Sequence, residues 1–114
     1  MAANPVLQRA KDHFSNQPVK EIEVPEWGED GKPFVFYSKP FTIQEKGRLA
    51  FMTKDKDPTE ALIEVLIMKA MDAEGEKVFQ LTDKIDLRNN VDADVISRAV
   101  NDIMGIDLEE LEKN

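Results

Sequence analysis

Three serines, one histidine and 23 carboxylates are the side chains in this sequence that could be turned to catalysis. Their spacing does not assemble any familiar set. Ser15, Ser38 and Ser97 lack the small-residue elbow that lifts a nucleophile from a strand onto a helix, and His13 has no sequence tie to any of them. One histidine without cysteine excludes the usual zinc clusters. The acidic turns Asp72-Ala-Glu-Gly-Glu and Glu26-Trp-Gly-Glu-Asp-Gly match calcium loops in composition only. If the last glycine is set at the sixth loop position, the first turn begins on Ala70, and the second places Tyr37 where the closing carboxylate belongs. The five glycines, at 28, 31, 47, 75 and 105, are too scattered to cradle phosphate. Asp92 and Asp94 fit a helix cap and first turn better than a hydrolytic pair. The expectation is therefore a non-enzymatic chain with no cofactor and no metal.

What remains is chemistry of contact. Trp27 stands in a Pro-Glu-Trp-Gly segment, where a large ring must either fold back over a sheet or stand at a contact surface. Phe34, Phe36, Tyr37 and Phe41 could stack bases, but few basic residues accompany them, and core packing is the expected role. The formal charge of -8 repels nucleic acid and anionic lipid, so neither is an expected partner. No stretch approaches the roughly 20 apolar residues that cross a bilayer. The start, Met1 to Arg9, has no long apolar run, so no signal peptide is expected, and the absence of cysteine suits the cytoplasm.

At 114 residues and 41% hydrophobic content, the chain has material for one core. The elements that would position its contacts follow from local signals. Asn4-Pro5 opens a short N-terminal helix or flexible arm within residues 1 to 18, with Val6, Leu7, Ala10 and Phe14 as its stripe. Residues 19 to 41 read as a β-hairpin, with turn residues from Pro25 to Gly31 and regular pairing confined by Pro25 and Pro33. Thr42-Ile-Gln-Glu45 fits a capping box, with Phe41 as staple, and starts a helix to about Thr53. Gly47 inside it either serves a close contact or weakens the helix by about 1 kcal/mol.

Asp57-Pro58 begins a second helix over residues 59 to 71, in which nine of the eleven residues from Ala61 to Met71 are apolar. Residues 72 to 77 form a turn and Val78 to Leu81 a short strand or extended connector. A short helix follows, capped by Thr82, and the last helix is capped by Asp92, carries Val95, Ile96, Ala99, Val100 and Ile103, and stops at Gly105. The class is α+β: a small single domain over residues 19 to 105, with the hairpin packed on a mainly helical remainder, and an acidic tail at 106 to 114. So apolar a helix at 59 to 71 has two coverings open to it. Ile63, Ile67 and Met71 could meet another protein, a weak self-contact when no partner is present. Alternatively, the hairpin and the last helix, through Ile96, Val100 and Ile103, enclose it.

The order of elements resembles the tail assembly chaperones of long-tailed bacteriophages and their prophages. The similarity spans about residues 19 to 104. It is carried by Val24-Pro25-Glu26-Trp27-Gly28, by the capping segment Thr42 to Glu45, and by Asp72-Ala-Glu-Gly-Glu-Lys-Val-Phe79. The resemblance implies a chaperone in the cytoplasm of a bacterial host that binds the tape measure protein, keeps it soluble and helps bring tail tube protein around it. It transfers no catalytic residue; Pro25, Trp27, Gly28, Phe41 and Thr42, with Glu45 of the box, are implied as fold and partner determinants. The competing classes are a structural tail or head-tail component and an unrelated acidic adaptor.

The metal-free expectation has a direct check: EDTA leaves the melting temperature unchanged, and a substantial drop would refute it.

Overall fold

The computed structural model describes residues 4–55 and 57–105; the acidic tail expected at 106 to 114 lies outside the described residues. The chain is α+β. An N-terminal helix α1 (Pro5–Asn16) leads into strands β1 (Lys20–Glu29) and β2 (Lys32–Ser38), then α2 (Ile43–Met52), α3 (Pro58–Lys69), a single 3-10 turn at Leu81–Asp83, α4 (Lys84–Asn89) and α5 (Ala93–Met104).

β1 and β2 form an antiparallel hairpin in which Ile22 opposes Phe36 and Val24 opposes Phe34. The alternation of the strands sends these four inward, and Glu21, Glu23, Val35 and Tyr37 outward. The turn is narrower than the expected stretch from Pro25 to Gly31. Asp30 and Gly31, with φ of 53° and 76°, close a two-residue loop between Glu29 and Lys32. Asp-Gly in that conformation matches the right-handed twist of the strands, which is why it wins the turn. The Pro25–Gly28 segment is instead a bulge: four residues of β1 face the single Pro33 between the paired positions on either side. Gly28 is required there, because a Cβ would lie 1.9 Å from the Lys32 carbonyl oxygen.

α2 begins as the capping box expected from its sequence. Thr42 Oγ1 accepts from the Glu45 amide at 3.1 Å, and the Thr42 amide donates to Glu45 Oε1 at 3.0 Å. Nothing in α2 is buried, and its Ile43 and Phe51 point outward. A side chain at Gly47 would meet open space, so no contact within the chain demands that glycine, and the helix carries its intrinsic cost.

α3 is the centre of the fold. Asp57 caps it through the Thr59 amide and Pro58 occupies its first turn. Ile63, Val65, Leu66 and Ile67 are all buried, with Leu66 fully so, in one cluster with Ile22, Val24 and Phe36 of the hairpin and Val95, Ile96, Ala99, Val100 and Ile103 of α5. α5 packs against both α3 and β1, while α2 and α4 flank α3, so the helix is covered within the chain; of the two coverings left open by its sequence, the internal one is observed.

The helix also ends sooner than expected. Ala70 turns extended and Met71, expected on the helix, pairs with Tyr37 through bonds of 2.8 and 2.9 Å. Met71 is also bridged to Lys77, so the segment after α3 adds a rung beside β2, and Val78 to Gln80 continue as an extended connector. Tyr37 and Met71 each donate the backbone N–H to the other's carbonyl, which an extra helical turn would forgo. Thr82 is no cap either: it lies inside the 3-10 turn, whose first amide, that of Gln80, is held by Asp83 Oδ2 at 2.8 Å. α5 ends as expected, on Gly105 in the left-handed conformation, φ 74°.

Ile67→Glu is expected to abolish cooperative folding, since it would replace a core side chain only 4% exposed with a charged one beside the carboxylate of Glu64. A sharp melt retained by this variant, with only its mass in solution altered, would restore the helix to the surface.

Candidate functional site

Five segments converge on an open apolar groove. Trp27 of the β1 bulge, Phe34 of β2, Val78 and Phe79 of the connector, Leu87 of α4 and Val91 before α5 line a cleft of about 340 Å³. A second cleft of about 210 Å³, between α3, α4 and the start of α5, shares Leu87 and Val91 with it, and Leu62 and Ile63 form its floor. The two lie side by side across those shared residues; the first is lined by apolar side chains alone, the second also by Thr59, Arg88 and Ser97.

The bulge sets the Trp27 ring. It meets Phe79 edge to face, with centroids 5.9 Å apart and planes at 77°, while Phe34 stacks on Phe36 at 6.2 Å. Trp27 is therefore half-buried: one side packs onto the core and the other is a wall of the groove. Of the two roles allowed by its sequence, folding back over the sheet is the one observed. Next to it, Glu26 is anchored by Arg98 of α5. The hydrogen bond from Arg98 holds the Glu26 carboxyl below its usual pKa and raises that of the guanidinium.

The polar groups of the region are committed to architecture. Glu64, 3% exposed on α3, is paired with Lys84 at the start of α4. Glu60 joins them, 3.7 Å from Lys84 Nζ, and pairs with Arg88 at 2.6 Å. The hydrogen bond to Glu64 raises the Lys84 pKa above the ordinary lysine value against the cost of its burial. On the other side of α3, the ammonium of Lys69, 5% exposed, donates to the Pro40 carbonyl at 3.2 Å and to Glu45 at 3.0 Å, and sits 4.8 Å from the centroid of the Phe41 ring. Burial alone would raise the Glu45 pKa, but the Thr42 amide and Lys69 outweigh it and the carboxyl titrates lower than usual.

A further cavity of about 300 Å³ is walled by Arg48, Glu64, Met68, Lys77 and Gln80 among others. Its acid is the one already neutralised by Lys84, so it offers no uncommitted catalytic group. Among the described residues no cluster of three or more potential metal ligands occurs, and no helix is long and apolar enough to cross a membrane.

Of the residues singled out by sequence, Trp27 and Gly28 with Pro25 shape the groove, while Phe41, Thr42 and Glu45 form the joint between hairpin and α2. Ile63 and Ile67 are core residues, 5% and 4% exposed, rather than a free stripe. Met71 lies half-buried on the outward side of the hairpin, far in register from Trp27. The sequence reading missed Phe79, Leu87 and Val91. Phe79 carried a usable signal, an aromatic residue beside Val78 directly after an acidic turn; Val91, alone between asparagine and aspartate, carried none. Comparison with protein-family models, with curated proteins and with solved structures finds no match to this chain.

Lys84→Met leaves the Glu64 carboxylate buried without its cation and is expected to cost about 3–5 kcal/mol in denaturant titrations. Adding Glu64→Met should recover most of that loss. The stabilisation from the raised Lys84 pKa is complete below the unfolded lysine value of about 10.4 and fades as pH rises through the higher folded one. A variant as stable as the parent at neutral pH would contradict the assignment.

Proposed function

We propose that this chain is a non-enzymatic tail assembly chaperone of a long-tailed bacteriophage or prophage, working in the cytoplasm of the bacterial host. In this reading it holds an amphipathic helical stretch of the tape measure protein, keeps that chain soluble, and assists the gathering of tail tube protein around it. The observation that carries the reading is the open apolar cleft lined by Trp27, Phe34, Phe79 and Leu87. An apolar channel with aromatic walls suits the hydrophobic stripe of a helix, which recurs every three to four residues and is read by such grooves through a few anchors. Long helical proteins expose many such stripes before assembly, and covering them removes an aggregation hazard.

Two further features support it. The formal charge of -8 keeps a complex with an apolar client in solution. The resemblance noted in Val24 to Gly28 coincides with the bulge that places Trp27, and that in Asp72 to Phe79 with the segment that places Phe79. Binding, rather than chemistry, is what the groove can offer, because its polar neighbours are engaged in ion pairs.

Co-expression with the neighbouring tape measure and tube proteins tests the reading. The tape measure protein is expected to stay soluble only when this chain is present, and Trp27→Ser should lower the recovered complex at least tenfold while leaving a cooperative melt. A tape measure protein equally soluble alone would sink the chaperone reading. Full activity of Trp27→Ser would sink the groove as its site, and recovery of the chain from purified tails would favour a structural component instead.

A further inference from the structure

α1 buries no residue of its own. Its cap is well made, with Asn4 accepting from the amides of Val6 and Leu7 at 3.1 Å each, and Pro5 in the first turn. Yet a 12-residue helix that buries none of its residues is marginal in water, because nucleation is costly and most helical stability in proteins comes from a docked face. The face exists: Val6, Leu7, Ala10 and Phe14 recur at three and four residue spacing, with Val6 62% and Leu7 56% exposed. Arg9 stands beside Val6 on one margin of this stripe and Lys11 beside Leu7 and Phe14 on the other.

The chain also holds a surface of opposite character. The outward face of the hairpin carries Val35 and Tyr37 on β2, extended by the paired Met71, all half-buried. Directly across from them on β1 stand Glu23 and Glu21, fully exposed. Beyond Tyr37 this face opens into a cleft of about 460 Å³ between Val19, Met71, Asp72 and Glu74, with Lys39 at its edge. Residues 1 to 18 carry Arg9, Lys11 and Asp12, a net +1, so the remaining chain carries -8 less +1, or -9. A basic-edged apolar helix and an acidic-edged apolar sheet face are thus joined in one polypeptide without touching.

We propose that α1 of one copy docks on the outward hairpin face of a second copy, Arg9 and Lys11 against Glu21 and Glu23, so that two chains exchange their N-terminal helices. A second copy is the occupant because it supplies both the apolar strip and the complementary charge. Within one chain the joint is an obstacle: only Gln17, Pro18 and Val19 separate α1 from β1, and Gln17 is held extended before the proline, φ -67° and ψ 138°. Reciprocal exchange buries both helices at once and closes the pair, leaving no open end. The groove at Trp27 lies on another part of the hairpin, so this contact is independent of the client site, and its failure leaves that reading standing.

Charge reversal in two separate chains tests it, by sedimentation equilibrium at low ionic strength. The parent should associate towards twice its mass as concentration rises, and added salt should weaken the association. Arg9→Glu with Lys11→Glu in one variant, and Glu21→Lys with Glu23→Lys in another, should each raise the dissociation constant at least tenfold with melting temperatures close to the parent's, since all four positions are exposed. An equimolar mixture of the two variants should recover association, because each acidic arm then meets a basic face and each unaltered arm an unaltered face. Leu7→Ser should also weaken the parent. A parent that is monomeric at every concentration, variants that associate as well as the parent, or a mixture no heavier than its components would overturn the proposal.

Discussion

The burial of α3 within the chain, in one core with α5 and the hairpin, is the constraint on which the other features rest. Phe36 and Leu66 are both fully buried, and they meet where sheet and helix layers face one another. A helix this apolar has no face it can leave in water, so the chain must cover it on two sides. Two strands and one amphipathic helix are the smallest set that does so. Burial of each large apolar side chain contributes roughly 1.5 to 3 kcal/mol, and the five consecutive buried positions from Ile63 to Ile67, four of them apolar and Glu64 tied by its ion pair, concentrate that contribution in little more than one turn.

The hydrophobic layers do not by themselves fix how far α3 slides or turns, whereas its two buried charges do. Glu64 is met only where Lys84 can reach it, which sets α4, and Lys69 only where Pro40 and Glu45 converge, which sets the start of α2. Misplacing either would leave a charge without a partner in a nearly dry site, a far larger penalty than a misfitted methyl group. The groove inherits its walls from these joints: α4 carries Leu87, and the bulge that carries Trp27 is tied to α5 through Glu26 and Arg98. With the core face of α3 satisfied inside the chain, the apolar surface left for partners lies at the Trp27 cleft, at the neighbouring cleft that Leu62 lines, and along α1.

Features written in neighbouring residues could be read from sequence. Thr42 and Glu45 form their capping box because both partners lie within one turn, and Asp57-Pro58 and Asp92 start helices for the same reason. The internal face of α5 follows from spacing alone. Where two local signals competed, the reading failed. Pro25 to Gly31 held both a bulge and a turn, and only the positive φ of Asp30 and Gly31 decides which part reverses the chain. Met71 continues the helical pattern of α3, yet a hydrogen-bonding vacancy on Tyr37, 34 residues earlier by their numbering, draws it out. The ion pairs of Glu64 and Lys69 and the groove itself join segments distant in sequence, and no periodicity encodes such meetings.

Amide hydrogen exchange, followed along the whole chain with and without a soluble fragment of the tape measure protein, puts this division of labour to the most direct test. In the free protein the amides of Val65, Leu66 and Ile67 should be the slowest and exchange only through global unfolding. On adding the fragment, new protection should appear around Trp27, Phe34, Phe79 and Leu87 to Val91, with α3 unchanged. Rapid exchange within α3 of the free protein, or new protection confined to that helix, would show that its burial is supplied by the partner and would contradict the account.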